Sequence, residues 1–199
     1  RSIIRSKRPG IQTPNSSSKV ATSGPEFVEK LIVLNMPHPV VMLRNLCTNR
    51  THIMKCWFIF FFQLPFFPER QISSHNAAMV WNIFRNQIVN TEQVSNEDIA
   101  VFQEAVLNRG TTSRAILNYY RNLFTIRSYW MGKATNQKLD VDTLIVWGMK
   151  DKSLDFKLCE QTIPFLKHAR VVRLDDSSHY PQQDTPDEVN EVIKNFLDS

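Results

Sequence analysis

Thr143-Leu144-Ile145-Val146-Trp147-Gly148 is the stretch on which the fold turns. A run of apolar and β-branched residues without polar alternation, closed by a glycine, describes a strand buried on both faces, as in parallel sheets. The sequence downstream repeats the theme. Residues 154–167 carry a helical pattern that Pro164 should kink or end early. Arg170-Val171-Val172-Arg173-Leu174 is a further strand. Thr185-Pro186-Asp187-Glu188 then combines an N-cap residue type, a proline at the first helical position and an acid at the third. It is the strongest helix start in the chain, and Val189, Val192, Ile193, Phe196 and Leu197 supply the apolar stripe behind it. Strand, helix, strand, helix implies a parallel sheet with right-handed crossovers.

Reading upstream, Leu31-Ile32-Val33-Leu34 is another short apolar run, ended by Asn35, Pro37 and Pro39. It predicts a third buried strand, with a short helix over 40–48 after it. From about 52 to 130 nothing reads convincingly as a strand. Residues 52–63, 76–90, 96–108 and 112–126 read better as helices, and Ser95 with Asp98 is an acidic near-match to a capping box. A helical block is thus inserted between the first strand and the second. Ahead of Pro25 the composition changes: Arg1, Arg5, Lys7, Arg8 and Lys19 stand there with no acid, and these five cations equal the whole net charge of +5. A Ser/Pro/Lys-rich segment with few large apolar residues reads as a disordered basic leader over 1–24, not as a nucleic-acid-binding arm. Opening on Arg1 instead of Met, the chain reads as a fragment or a processed product.

With 199 residues, 42% of them hydrophobic, the chain can bury a sizeable core in one large domain or a domain with an appendage. Its five glycines, Gly10, Gly24, Gly110, Gly132 and Gly148, stand too far apart for a phosphate loop or a dinucleotide fingerprint. No cofactor is expected. Cys47, Cys56 and Cys159 have neither disulfide-framework nor metal-type spacing, so no metal is expected and an intracellular setting is the default. The most apolar stretch, Cys56 to Phe62, is too short to span a bilayer.

In parallel α/β sheets the chemistry gathers at the carboxyl ends of the strands. Asp151 follows the Trp147-Gly148 strand end, and His179 follows the Leu174 strand end. Each alone fits an ordinary loop residue. As a pair on consecutive strand ends, the carboxylate can fix the imidazole's tautomer and stabilise the charge it gains as a base.

Five blocks follow one another along the chain: Pro25 to Pro39, Phe60 to Glu69, Asn118 to Asn122, Trp147 to Asp151, and Ser178-His179 with Gln182 to Asp187. Through these blocks, in family order, the chain from about residue 25 to 198 resembles the C-terminal half of epoxide hydrolases of the α/β-hydrolase superfamily. The resemblance implies a partial α/β-hydrolase fold: a three-stranded, mostly parallel sheet over 25–49 and 141–199, with residues 50–140 as an inserted helical cap. It also implies that His179 activates water against a covalent ester, with Asp151 as charge-relay acid. Tyr120 would donate a hydrogen bond to the epoxide oxygen, and Trp57, Phe61 and Phe62 would line an apolar substrate pocket. The family's second cap tyrosine falls where this chain has only Phe60, Phe61 and Phe62, which cannot donate to oxygen.

The larger departure is an absence. The family's nucleophilic Asp sits in a His-Asp-Trp-Gly-type elbow and its oxyanion loop is His-Gly-x-Pro, and neither occurs in these residues. Without a nucleophile the histidine has no ester to hydrolyse, so the chain alone is expected to be inactive towards the small apolar epoxides that complete relatives open. The alternatives are a non-catalytic binding derivative of the fold or a relative of the haloalkane and haloacid dehalogenases. Longer relatives can carry a membrane anchor. The strand edge at Leu31 to Leu34, having lost its neighbour, is expected to be exposed and to favour self-association.

Overall fold

The protein is seen in a computed structural model that describes residues 2–6, 28–108, 110–125 and 138–199. Strands β1 (Ser2–Ser6), β2 (Val28–Leu34), β3 (Asp142–Gly148) and β4 (Ala169–Leu174) form one sheet in that order. β2, β3 and β4 run parallel, with Ile32 opposite Leu144 and Ile145 opposite Val171. The apolar run in β3 is explained by its central place. Ile145 and Trp147 face one core with Val41, Leu46, Leu158 and Cys159, while Leu144 and Val146 face another with Ile32, Leu34, Val189 and Phe196. Alternate side chains of one strand therefore feed both layers. Three parallel strands between helices match the sheet expected from the sequence, with β1 added as a fourth.

β1 corrects the expectation for the leader. Ser2 to Ser6 pair antiparallel to β2, with Ile4 opposite Leu31, so the edge expected to be exposed is covered. The basic tail signal was read as solvation, yet an unpaired apolar edge accepts any short extended segment, and Ile3-Ile4 has strand propensity. The remainder of the leader, 7–24, lies outside the described residues.

Between β2 and β3 come α1 (Pro39–Thr48), α2 (Arg50–Lys55), α3 (Trp57–Phe61), α4 (Phe67–Ser73), α5 (Ala78–Gln87), α6 (Asn96–Asn108) and α7 (Gly110–Thr125). The expected helix over 52–63 is broken at Cys56, which has φ −105° and ψ 22°. α4 was not foreseen because two prolines bracket its start. Pro68 stands in its first turn, where the missing N–H leaves no bond unmade. The expected helix over 76–90 begins late, after Asn76 and Ala77 in left-handed conformation. The capping box at Ser95 forms in both directions: Ser95 N donates to Asp98 Oδ2 at 2.9 Å and Asp98 N to Ser95 Oγ at 3.1 Å.

After β3, α8 (Phe156–Thr162) passes into a tight 3-10 turn at Ile163–Phe165, and Pro164 ends the α-helix as expected. After β4 come the short α9 (Pro181–Asp184) and α10 (Pro186–Asp198), whose apolar stripe packs under β2 and β3. Thr185 precedes α10 without capping it: its hydroxyl donates to Pro181 O at 3.4 Å instead. Lys30 closes the sheet onto α10. Its buried Nζ donates to Phe196 O at 2.8 Å and Leu197 O at 3.2 Å, the last-turn carbonyls that a helix leaves unpaired. No helix among the described residues is long and apolar enough to cross a membrane.

Candidate functional site

The carboxyl ends of β2, β3 and β4 converge on one constellation. β2 ends at Asn35, which turns out of the strand with φ 42°, a left-handed conformation that asparagine tolerates. Its side chain ties two strands together: Gly148 N donates to Asn35 Oδ1 at 2.8 Å, and Asn35 Nδ2 donates to Asp151 Oδ2 at 2.7 Å. Only a glycine fits at the end of β3. A Cβ on Gly148 would lie 2.2 Å from the Ser178 carbonyl oxygen, because the loop after β4 crosses directly over it. Lys150 N fastens that crossing by donating to Ser177 O at 2.9 Å.

Asp151 is saturated. Oδ1 accepts the amides of Ser153 at 2.8 Å and Leu154 at 2.9 Å; Oδ2 accepts Asn35 Nδ2 and, at 2.8 Å, His179 Nδ1. Its carboxyl is 1% exposed. Burial alone would push its pKa up, but the bond and charge of His179, the Leu154 amide and Asn35 outweigh it and hold the group below the usual carboxylate range. An ionised carboxylate only accepts, so Nδ1 of His179 carries the proton and Nε2 of the neutral ring is the basic nitrogen.

His179 lies on the wall of a cavity of about 330 Å³ between the strand ends and the inserted helices. Asn35, His38, Phe58, Tyr119, Tyr120 and Tyr180 line it, with Leu34, Met42, Ile59 and Leu154 among its apolar walls. His38 stacks on Phe165 with ring centroids 4.5 Å apart, and burial pushes its imidazole down to about 4, so it is neutral at ordinary pH. Burial, and then the nearby Asp151 charge, push the Cys56 thiol up to about 11. The thiolate needed for a nucleophile is therefore absent at neutral pH. Among the described residues no group of His, Cys, Asp or Glu could hold a metal ion.

No family model matches the chain. It is 32% identical over 176 residues to epoxide hydrolase 1 of Caenorhabditis elegans, covering 87% of this chain and 43% of that protein. To human epoxide hydrolase 4 it is 31% identical over 183 residues, covering 89% of this chain and 49% of that protein. In structure it superposes on a Bacillus megaterium epoxide hydrolase in complex with an inhibitor, with a TM-score of 0.72 and 25% identity over 90% of this chain and 64% of that one. Over most of its length the chain is homologous to epoxide hydrolases of the α/β-hydrolase superfamily. It spans about half the length of the curated relatives it matches. A putative α/β hydrolase from Nostoc, 17% identical with a TM-score of 0.77 over 90% of this chain and 61% of that one, carries the fold beyond that family.

The sequence-predicted residues fall into two groups. Asp151 and His179 are in direct contact, and Tyr120 lines the same cavity as His179. Burial pushes the Tyr120 phenol well up, so it remains protonated and able to donate. Trp57, Phe61 and Phe62, expected from the sequence to line a substrate pocket, are not among the residues that line this cavity. The break at Cys56 resets the helical phase. Phe58 and Ile59 turn to the cavity, Trp57 is 59% exposed, and Phe62 packs with Ile72, Ala77, Val106 and Leu117 in a separate core.

Three residues that build the site or its surroundings escaped sequence reasoning. Asn35 was read only as a strand terminator, and His38 only as part of a resembling block. Arg121 clamps the aromatic segment onto α7, donating to Phe62 O at 3.0 Å, Leu64 O at 2.7 Å and Glu69 Oε1 at 2.7 Å. An asparagine ending a buried strand just before a proline loop was the one local signal that could have flagged Asn35.

Proposed function

We propose that this chain carries the base, the relay acid and the cap of an epoxide hydrolase, with residues 50–140 as the cap. His179 removes a proton from water through Nε2, and the resulting hydroxide attacks the carbonyl carbon of an aspartyl ester. The ester C–O bond breaks, the diol leaves after taking up a proton, and the carboxylate is regenerated. Asp151 balances the imidazolium that forms in between. In the preceding step the Tyr120 hydroxyl donates to the epoxide oxygen as the ring opens, a bond that strengthens as negative charge develops there. The substrate class is a small apolar epoxide, matched to a cavity walled by leucines and aromatic rings.

The single observation that carries this reading is the 2.8 Å contact between His179 Nδ1 and the buried Asp151 carboxylate on neighbouring strand ends, facing that cavity. The nucleophile is not among these residues, since the sequence holds no Asp elbow and Cys56 is a protonated thiol. We therefore expect no turnover of an apolar aryl epoxide by the 199-residue chain. Supplied with the nucleophile segment of a family member, it should turn the substrate over and lose that turnover in His179→Ala. Turnover by the chain alone, abolished in His179→Ala, would overturn the division of labour. Turnover of the completed enzyme that is indifferent to His179 would overturn the assignment of the base.

A further inference from the structure

Asp184 is wholly buried and takes no part in the chemistry described so far. All four of its acceptor positions are filled, and by two different parts of the molecule. Oδ2 accepts the amide of Ser178 at 2.9 Å and the Ser178 hydroxyl, one residue before His179. Oδ1 accepts the amides of Val89 at 2.9 Å and Asn90 at 3.0 Å, just past the end of α5 in the helical insertion. Asn90 Nδ2 adds a bond to the Asp184 carbonyl at 3.1 Å.

The same corner of the insertion also holds the acid loop. Gln87 Nε2 donates to Ser153 Oγ at 2.6 Å, and Lys152 Nζ donates to Asn86 O at 2.6 Å. Residues 86–90 thus grip the loop of Asp151 on one side and the loop of His179 on the other. We propose that Asp184 is a positioning residue. Its carboxylate fastens the base loop to the insertion, and the Asn86–Asn90 corner braces the acid and base loops at the separation their hydrogen bond needs. A buried carboxylate suits the task because one rigid group accepts from four donors at once and has no donor of its own to leave unpaired. Any displacement of this corner of the insertion is then transmitted to the imidazole.

The inference rests on reading His179 and Asp151 as base and relay acid, so its test separates the two. In the full chain, a carboxylate-bonded Nδ1–H of His179 gives a low-field proton resonance that Asp151→Asn must abolish. Asp184→Asn presents an amide donor to the Ser178 amide. We expect it to broaden or remove that resonance, and to make the Val89 and Asn90 amides exchange several-fold faster, while near-ultraviolet dichroism stays native. Ser178→Ala removes one of the four donors and should broaden the resonance without abolishing it. If Asp184→Asn does not fold, the Ser178→Ala spectrum decides. An unchanged resonance in a folded Asp184→Asn, or in Ser178→Ala when the first variant is unfolded, overturns the positioning role alone. A wild-type chain without the resonance, or one that keeps it in Asp151→Asn, overturns the base–acid reading itself.

Discussion

The strand-end loops and the aromatic segment from Trp57 to Phe67, which lies within the insertion, are held by different physics. Around Asn35, Gly148, Asp151, His179 and Asp184, groups are fixed by short hydrogen bonds between residues far apart in sequence. In the aromatic segment the rings are only half housed. Phe66 is 85% exposed and sits at φ 63°, a left-handed conformation unusual for a bulky residue. Across that segment, Arg121 supplies three bonds. The proton transfer proposed for His179 tolerates little misplacement and falls in the first kind of construction. From the second kind, Phe58 and Ile59 contribute to the cavity wall, which needs only shape.

The sharpest way to test that contrast is a pair of tryptophans. Trp147 is fully buried at the centre of β3, and Trp147→Ala should lower the unfolding free energy by about 3–5 kcal/mol in urea denaturation. A loss below about 1 kcal/mol would mean that the sheet is not the rigid half. Next in size is an acid limb belonging to the site. His38 titrates near 4 when folded and near its ordinary value when unfolded, so its contribution is whole above about 6.5. As pH falls from there towards 4 the unfolded chain takes up a proton that the folded one refuses, and stability drops. Urea midpoints against pH should show this slope, and His38→Gln should flatten it. The Asp151 contribution disappears at lower pH still, as the depressed carboxylate is finally protonated.

Arg121→Lys probes the softer half. A single ammonium cannot reach all three acceptors of the guanidinium, and we expect a loss of about 1–2 kcal/mol. Faster amide exchange should be confined to the Phe62–Glu69 region, and a spread of that change into the Asp151 loop would blur the contrast. Smallest of all, Trp57→Ala should move stability by no more than about 0.5 kcal/mol, since the ring is 59% exposed.

The legible parts of the fold were those where neighbours in sequence carry the signal. The apolar runs of β2, β3 and β4, the stripe of α10 and the Ser95–Asp98 box each announce themselves within a few residues. Asp151 and His179 were legible because strand ends fix where loops meet. What stayed hidden depends on distant partners. β1 is a strand only because β2 offers it an edge. Asp184 looks like an ordinary acid before a proline until Val89 and Asn90, more than ninety residues away, are brought to it. Which aromatic residues face the cavity stayed hidden too, because one irregular residue, Cys56, breaks the helix just ahead of the aromatic run.

Lys30 carries a consequence for the order in which the molecule is made. Its ammonium is sheltered in β2 among the first of the parallel strands, while the carbonyls that receive it belong to Phe196 and Leu197, at a sequence separation of 166 residues for the nearer bond. Until those carbonyls emerge from the ribosome, a strand destined for the interior holds a charge with nowhere to go. Burying β2 is therefore coupled to docking α10, because without those carbonyls the ammonium would leave water with no acceptor to receive it.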